Sequence, residues 1–240
     1  MKHMKEILAL SLILVLFLGV LLPAYGEEAT ADDEYAGKVI VACVGDSITK
    51  GIGTDGKPLR NYPTVLGELL GDDYAVINYG NPGATLQDEG SRPYTSLPEY
   101  QASLDMAAQV YIIMLGTNDS VEGVWDAARY EQQLGEKVDT YLAAGEHPLV
   151  YLMTSPQTYV REGKDKVISG IRTEVINDEI CPIIKKVAEE KGINVIDLNK
   201  FTVDHADWFA DGVHPNEDGY AEVAQFVFEA IQPGLETLEG

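Results

Sequence analysis

The hydrophobic residues of this chain fall into short continuous runs, which are separated by segments whose apolar residues recur at helical spacing. The first run, 39–44, is apolar at almost every position, as expected for a strand buried on both faces of a sheet. It is predicted to be the central strand. Similar runs predict four further strands at 75–79, 110–115, 149–154 and 194–198.

The segments between these runs have the apolar spacing and the end signals of helices. Helices are predicted at 62–70, 98–108, 124–144 and 171–191, and Asn216 is expected to cap a last helix. Strands that alternate with helices predict a parallel sheet with right-handed crossovers, that is, a three-layer α/β/α domain. With 240 residues, 45% of them hydrophobic, the chain has enough material for one such domain, which we place at 38–240.

The N-terminus has a different pattern. Lys2 and Lys5 precede an apolar run at 7–22, and the small-residue exit at 24–26 follows a proline. This is typical of a signal peptide at 1–26 with cleavage near Gly26, and it predicts a secreted or extracytoplasmic protein without stable membrane insertion after cleavage. A retained membrane anchor is the alternative, although the run is shorter than the ~20 apolar residues that span a bilayer. The acidic segment 27–37 is expected to be a flexible lead-in.

Charge and cysteine content narrow the choice of partners. The formal net charge of −22 argues against nucleic acid and anionic membranes as partners, because the surface repels both. Cys43 and Cys181 are the only cysteines; both lie within predicted elements and are expected to be buried thiols, with a disulfide between them as the alternative. The segment 51–56 spells G-x-G-x-x-G, but it starts too far beyond the strand for a dinucleotide fingerprint and is interpreted as a loop.

Residues with catalytic potential follow the predicted strands. Ser47 comes just after the first strand, Gly80 after the second and Asn118 after the third. The carboxyl ends of parallel strands meet at one edge of a sheet, so the serine hydroxyl and the donors for an oxyanion are expected to converge there. A serine nucleophile needs a base, and His214 has Asp211 three residues upstream to orient it. The alternative is that these residues only form turns and helix caps.

Four segments carry a resemblance to a known family. They are Gly45-Asp46-Ser47, Asn78-Tyr79-Gly80-Asn81-Pro82-Gly83, Gly116-Thr117-Asn118-Asp119 and Asp211-Gly212-Val213-His214-Pro215. In this order they are similar to the four sequence blocks of the SGNH (GDSL-type) hydrolase superfamily. The resemblance implies a flavodoxin-like sheet of five parallel strands and catalysis without a metal or an organic cofactor.

The resemblance also implies a role for each matching residue. Ser47 would be the nucleophile, His214 the general base and acid, and Asp211 its orienting partner. The oxyanion donors would be the Ser47 N–H, the Gly80 N–H and the Asn118 amide. Further short segments, at 62–63, 92–94, 99–101 and 170–172, are similar to the branch of carbohydrate or sialate O-acetylesterases.

This narrower likeness predicts removal of O-acetyl groups from carbohydrates, so that the partner is a small-molecule or glycan ester. Tyr94, Tyr159 and Arg172, in or next to the long loops 86–98 and 155–170, are expected to contact substrate, although these side chains would equally well pack the loops. Two alternatives stay open. One is a lysophospholipase or thioesterase acting on longer acyl chains, and the other is an inactive glycan-binding module that keeps the fold.

Overall fold

A computed structural model describes residues 35–53 and 55–238 of the chain. Five strands form one sheet in the order β2-β1-β3-β4-β5, and every neighbouring pair is parallel. The strands are β1 (Val39–Gly45), β2 (Tyr74–Gly80), β3 (Val110–Met114), β4 (Leu149–Met153) and β5 (Asn194–Ile196). The expected five-stranded parallel α/β fold is therefore confirmed.

Helices cover both faces of the sheet. They are α1 (Ser47–Lys50), α2 (Tyr62–Leu70), α3 (Pro98–Asp105), α4 (Ala127–Leu142), α5 (Cys181–Lys191), α6 (Leu198–Phe201) and α7 (Glu217–Leu235). The connection from β1 to β2 runs opposite to the other three along the sheet. Right-handed crossovers therefore put α2 on one face and α3, α4 and α5 on the other. Helix α7 packs on α2 and α5 packs on α4, which completes the two outer layers.

The first strand is not the middle one. β1 lies between β2 and β3, and β3 occupies the centre of the sheet, with all five of its residues buried. The prediction of a strand buried on both faces was correct for β1, whose last five residues are buried, but its position was wrong. A continuous apolar run shows that a strand lies inside a sheet, but it does not give the number of strands on each side.

The register of the sheet brings three strand ends to one level. Gly45, the last residue of β1, pairs with Gly80 of β2 on one side and with Met114 of β3 on the other. The loops that follow these strands therefore start side by side at the carboxyl edge, where open α/β sheets bind their ligands. This edge carries the candidate site.

One predicted helix is interrupted. In place of a continuous helix at 171–191, a short helical segment (Thr173–Val175) leads into a π-helical turn (Ile176–Ile180) and then into α5. Pro182, near the start of α5, has no N–H and cannot donate to the turn before it, which accounts for the wider turn at this point. The fifth strand is also shorter than predicted, because Asp197 caps α6.

Both cysteines are free and buried, so the alternative of a disulfide is not found. Burial raises the pKa of the Cys43 thiol to about 12, and that of Cys181 to the same value, which makes both thiols poor nucleophiles. The segment 51–56 is a loop in its described residues, in agreement with its interpretation, and Gly51 ends α1 in the left-handed conformation.

The predicted signal peptide at 1–26 and most of the lead-in at 27–37 lie outside the described residues. Within 35–53 and 55–238, no helix has the length and apolar character needed to cross a bilayer.

Candidate active site

The candidate nucleophile sits at the turn from β1 into α1. The Asp46 side chain caps α1 by accepting a hydrogen bond from the Ile48 N–H at 2.9 Å. Ser47 is the first residue of the helix, so its own N–H has no acceptor within the helix and remains available. Its hydroxyl is partly exposed at the carboxyl edge of the sheet.

The serine, the histidine and the aspartate form one hydrogen-bonded chain. Ser47 Oγ lies 2.9 Å from His214 Nε2, and His214 Nδ1 lies 2.7 Å from Asp211 Oδ2. The other carboxylate oxygen, Asp211 Oδ1, accepts hydrogen bonds from the backbone N–H groups of Val213 and His214, both at 2.8 Å. The carboxylate therefore fixes both the ring and the backbone of the histidine.

The turn that carries Asp211 and His214 depends on a glycine. Gly212 has φ +89°, and an added Cβ would collide with the carbonyl oxygen of Tyr159. The Tyr159 N–H in turn donates to the Gly212 carbonyl at 2.8 Å, and its ring packs on Phe209 with centroids 5.5 Å apart. The Tyr159 hydroxyl donates to the carbonyls of Thr202 and Val203. Tyr159 therefore supports the catalytic turn, which agrees with the alternative that it packs its loop, and it does not line the pocket that contains Ser47.

The carboxylates near the nucleophile differ in their environments. Burial raises the pKa of Asp211, but the hydrogen bonds from His214 and Val213 outweigh burial and hold this pKa below its usual value. Asp211 therefore stays ionised and can stabilise an imidazolium. Asp46 is completely buried, and this burial raises its pKa to about 6 despite the hydrogen bond from Ile48.

Asn118 lies beside Ser47, as expected, but both of its amide hydrogens have acceptors. Its Nδ2 donates to the Ala84 carbonyl at 3.0 Å and to Asp46 Oδ2 at 3.2 Å. A substrate oxyanion would have to replace one of these two acceptors, and the longer bond is the one to Asp46. Asn118 can therefore act as an oxyanion donor after this exchange of partners.

Gly80 is not available as an oxyanion donor. Its N–H donates to Asn78 Oδ1 at 2.8 Å, and a Cβ at Gly80 would clash with the backbone of Thr49 and Lys50. The prediction for Gly80 was wrong because β2 continues through this residue, which pairs with Gly45. Gly80 is a glycine because α1 passes close to the end of β2.

Gly83, three residues further along the same block, lies at the site. It lines the pocket that contains Ser47, and its N–H donates to no acceptor among the described residues. Its φ of +79° is the left-handed conformation that favours glycine. Together with the Ser47 N–H, the Gly83 N–H gives the site two free backbone donors. The signal for Gly83 was present in the sequence, since both glycines belong to the same sequence block.

Asp119 has a structural role in the site that its sequence position alone did not indicate. It is completely buried, and its two carboxylate oxygens accept hydrogen bonds from the N–H groups of Leu86 and Gln87 at 2.9 and 2.8 Å. It thereby ties the loop after β3, which holds Asn118, to the loop after β2, which holds Gly83. Burial raises the pKa of Asp119 to about 6. Its position next to Asn118 in the third sequence block is the feature of the sequence that could have indicated this role.

The catalytic side chains open into a small pocket of about 210 Å³. Its apolar lining comes from Ile52, Ile168, Ile171 and Val213, with Pro82, Gly83 and Ser169 also contributing. Typical small-molecule pockets have about 300–1,000 Å³, so this pocket suits a small group next to the nucleophile.

Tyr94 and Arg172, two of the residues predicted to contact substrate, do not line the catalytic pocket. Tyr94 is 1% exposed, and its hydroxyl donates to the Tyr79 carbonyl at 2.7 Å, so it is a core residue. The polar composition of the loop 86–98 gave no indication that Tyr94 is buried. Arg172 donates through its backbone N–H to Ser120 Oγ at 3.1 Å and lines a second cavity, outside the catalytic pocket. No group of three or more His, Cys, Asp or Glu side chains suited to a metal occurs in the described ranges.

A parallel α/β/α sheet with a serine, a histidine and an aspartate hydrogen-bonded at its carboxyl edge defines a hydrolase-type fold and site. Residues 43–222 match the model of the GDSL-like lipase/acylhydrolase family, and the chain belongs to this family. The resemblance found from the four sequence blocks is thereby confirmed.

Individual relatives agree with this assignment. The chain is 32% identical over 211 residues to an acetylxylan esterase of Xylanibacter ruminicola; the match covers 80% of this chain but only 43% of that protein. It is 23% identical to thioesterase 1/protease 1/lysophospholipase L1 of Escherichia coli, over 79% of this chain and 82% of the relative. Among solved structures, the lipase/acylhydrolase of Enterococcus faecalis has the same fold, with a TM-score of 0.65, 23% identity and coverage of 81% and 96%.

Proposed function

We propose that this protein is a serine ester hydrolase that removes short acyl groups, above all O-acetyl groups, from carbohydrates. The observation that carries the proposal is the chain from Ser47 Oγ through His214 to Asp211, with distances of 2.9 and 2.7 Å, at the mouth of a small pocket. The matching acetylxylan esterase supports the choice of substrate class.

In the proposed mechanism, Ser47 Oγ attacks the ester carbonyl while His214 Nε2 takes its proton. Asp211 holds the ring in the tautomer that leaves Nε2 free and stabilises the imidazolium that forms. His214 then gives the proton to the leaving alcohol. Water, activated by the same histidine, hydrolyses the acyl-enzyme and regenerates the serine.

The negative charge that develops on the carbonyl oxygen needs donors in place. The N–H groups of Ser47 and Gly83, which have no acceptor among the described residues, supply two of them, and Asn118 supplies the third when it releases Asp46. Removal of one such donor typically costs about 2.7–4 kcal/mol of transition-state stabilisation. The mechanism needs no metal or organic cofactor.

The size of the catalytic pocket supports a short acyl group. An acetyl group fits beside Ile171 and Val213, whereas a long acyl chain would extend beyond the pocket of about 210 Å³. The second candidate is a thioesterase or lysophospholipase activity, and the match to the Escherichia coli protein favours it. We further infer that the protein is exported, because of the signal-like pattern at 1–26.

Hydrolysis of p-nitrophenyl acetate, p-nitrophenyl octanoate and acetylated xylan by the full-length protein tests the proposal. We expect release of acetate from xylan and faster hydrolysis of the acetate ester than of the octanoate ester. Ser47→Ala should lower kcat by about 10⁶-fold and abolish labelling by a fluorophosphonate probe, whereas Ser96→Ala, at an exposed serine outside the site, should do neither. Faster octanoate hydrolysis would favour the lipolytic alternative, and equal activity of Ser47→Ala would refute the serine mechanism.

A further inference from the structure

A second cavity lies next to the catalytic pocket. Its volume is about 380 Å³, and it shares one residue, Ile171, with the pocket that holds Ser47. The turn at 168–171 separates the two spaces: Ile168 and Ser169 face the catalytic pocket, and Gly170 faces the second cavity. A group bound in the second cavity is therefore within reach of a substrate whose ester is at Ser47.

The floor of this cavity is apolar. Val167 and Ile171 are buried there, and Val121 adds a third aliphatic side chain. Val160, on the loop 155–170, also lines the cavity although it is 52% exposed, the highest value among the exposed large hydrophobic side chains of the described residues. An apolar side chain kept in water beside a cavity offers a surface for the C–H face of a ligand.

The rim of the cavity is charged, and its charged side chains other than Arg172, whose Nε donates to the Ser120 carbonyl, have no hydrogen bond to a described residue. It carries both donors and acceptors: Glu122, Asp165, Lys166, Arg172 and Glu174. None of these five side chains forms an ion pair with a described residue. Elsewhere in the described chain, cations such as Lys185 and Lys191 do pair with aspartates. The carboxylates of the rim accept hydrogen bonds and its cations donate them. A hydroxyl group can both donate and accept, so it can bond to either kind of side chain.

From this arrangement we propose that the second cavity binds the glycan part of the substrate, on the alcohol side of the ester. The ligand class is a neutral, polyhydroxylated chain: its C–H faces lie on Val167 and Ile171, and its hydroxyls bond to the charged rim. The mixture of signs argues against an acidic or basic ligand, because either would face like charges. This inference rests on the proposed function, since it assigns a subsite to the same reaction.

The subsite explains how a small catalytic pocket serves a large substrate. The pocket at Ser47 takes the acyl group, and binding energy from the glycan in the second cavity positions the ester. An activated aryl ester such as p-nitrophenyl acetate has no glycan to place there. The subsite therefore predicts that the two substrates respond differently to changes at the rim.

The test compares kcat/KM for an acetylated xylotriose with kcat/KM for p-nitrophenyl acetate. The triple variant E122Q/K166M/E174Q changes exposed side chains on the rim and leaves Arg172 and its bonds to Ser120 intact. The control E189Q/E222Q/K200M removes the same charges at exposed residues that line neither cavity. We expect the ratio of the two kcat/KM values to fall about tenfold in the rim variant and to stay constant in the control.

Binding gives a readout that does not depend on turnover. Unacetylated xylotriose should bind to the Ser47→Ala protein in calorimetry, and the rim variant on that background should bind at least about tenfold more weakly. An unchanged ratio together with unchanged xylotriose binding would overturn the subsite while acetyl release from xylan still supported the proposed function. Hydrolysis of p-nitrophenyl acetate without any release from acetylated xylotriose would overturn both.

Discussion

Asp211 holds His214 at two points. One carboxylate oxygen lies 2.7 Å from the ring Nδ1, and the other accepts the backbone N–H of the same residue at 2.8 Å. The orientation of the imidazole and the shape of the turn therefore depend on the same carboxylate. The hydrogen bonds from His214 and Val213 outweigh burial and hold the pKa of Asp211 below its usual value, so this carboxylate is ionised at neutral pH.

Asp211→Asn is expected to lower kcat for p-nitrophenyl acetate by about 10⁴-fold, because an amide stabilises the wrong histidine tautomer and carries no charge. Steady-state kinetics at pH 7–8 provides the measurement. Asp207→Asn, at an exposed aspartate of the same loop that contacts neither catalytic side chain, is the control and should keep nearly full activity. A drop below tenfold in Asp211→Asn would contradict the orienting role.

Two glycine substitutions separate stability from catalysis. At Gly80 a Cβ meets the backbone of Lys50, so Gly80→Ala should destabilise the fold by about 1–3 kcal/mol or more. At Gly83 there is room for a Cβ, but φ is +79°, so Gly83→Ala displaces the N–H donor and should lower kcat by up to about 10²-fold. Urea unfolding and kinetics on both variants provide the measurement; a larger loss of kcat in folded Gly80→Ala would restore Gly80 as the donor.

Tyr94→Phe tests whether this tyrosine is structural. The Tyr79 carbonyl would lose the hydrogen bond that it now accepts from the Tyr94 hydroxyl at 2.7 Å, at a cost of about 1–3 kcal/mol. Denaturation curves should show this loss, and KM for acetylated xylan should not change. A raised KM without a loss of stability would instead indicate that Tyr94 contacts substrate.

The buried Asp46 predicts a pH dependence of stability. Its folded-state pKa is about 6, above its usual value, so between pH 4 and 7 the folded state binds more protons than the unfolded state. The contribution of Asp46 to stability then falls as pH rises, by about 3 kcal/mol over this range for a shift of about two pKa units. Asp46→Asn keeps a residue that can cap α1 but removes the titration, so its stability should depend less on pH.

Urea unfolding of wild type and Asp46→Asn at pH 4, 5, 6 and 7 provides the comparison. Asp72→Asn, at an exposed aspartate, is the control and should follow the wild-type curve. If the stability of Asp46→Asn also follows the wild-type curve, Asp46 does not titrate in this range.

Much of the site could be predicted from the sequence because its residues follow the ends of strands. Parallel pairing forces Ser47 and Asn118 to one edge, and the spacing from Asp211 to His214 allows a turn that joins them. The failure at Gly80 has a simple cause. The sequence did not show whether β2 ended before or after Gly80, and that boundary decides which glycine reaches the site.

The environments of side chains within loops were harder to predict from the sequence. For Tyr94 and Tyr159 the sequence leaves open substrate contact and loop packing, and the structure shows that each donates its hydroxyl to a backbone carbonyl of a neighbouring segment. Such anchoring depends on tertiary packing, which a local pattern does not encode. The π-helical turn before Pro182 was missed for a related reason, since a helix can continue through a proline only with an adjustment that the apolar spacing does not reveal.

A single short turn, 168–171, lies between the catalytic pocket and the second cavity. It contains Ser169, a non-glycine residue with φ +58°, beside Gly170 with φ +72°. Shortening this turn would join the catalytic pocket to the second cavity, and lengthening it would separate them further. Neither change would move the edge of the sheet that carries Ser47. A change in the length of this turn is therefore expected to alter the size of the ester that the protein accepts, while the bond-cleaving residues Ser47, His214 and Asp211 stay in place.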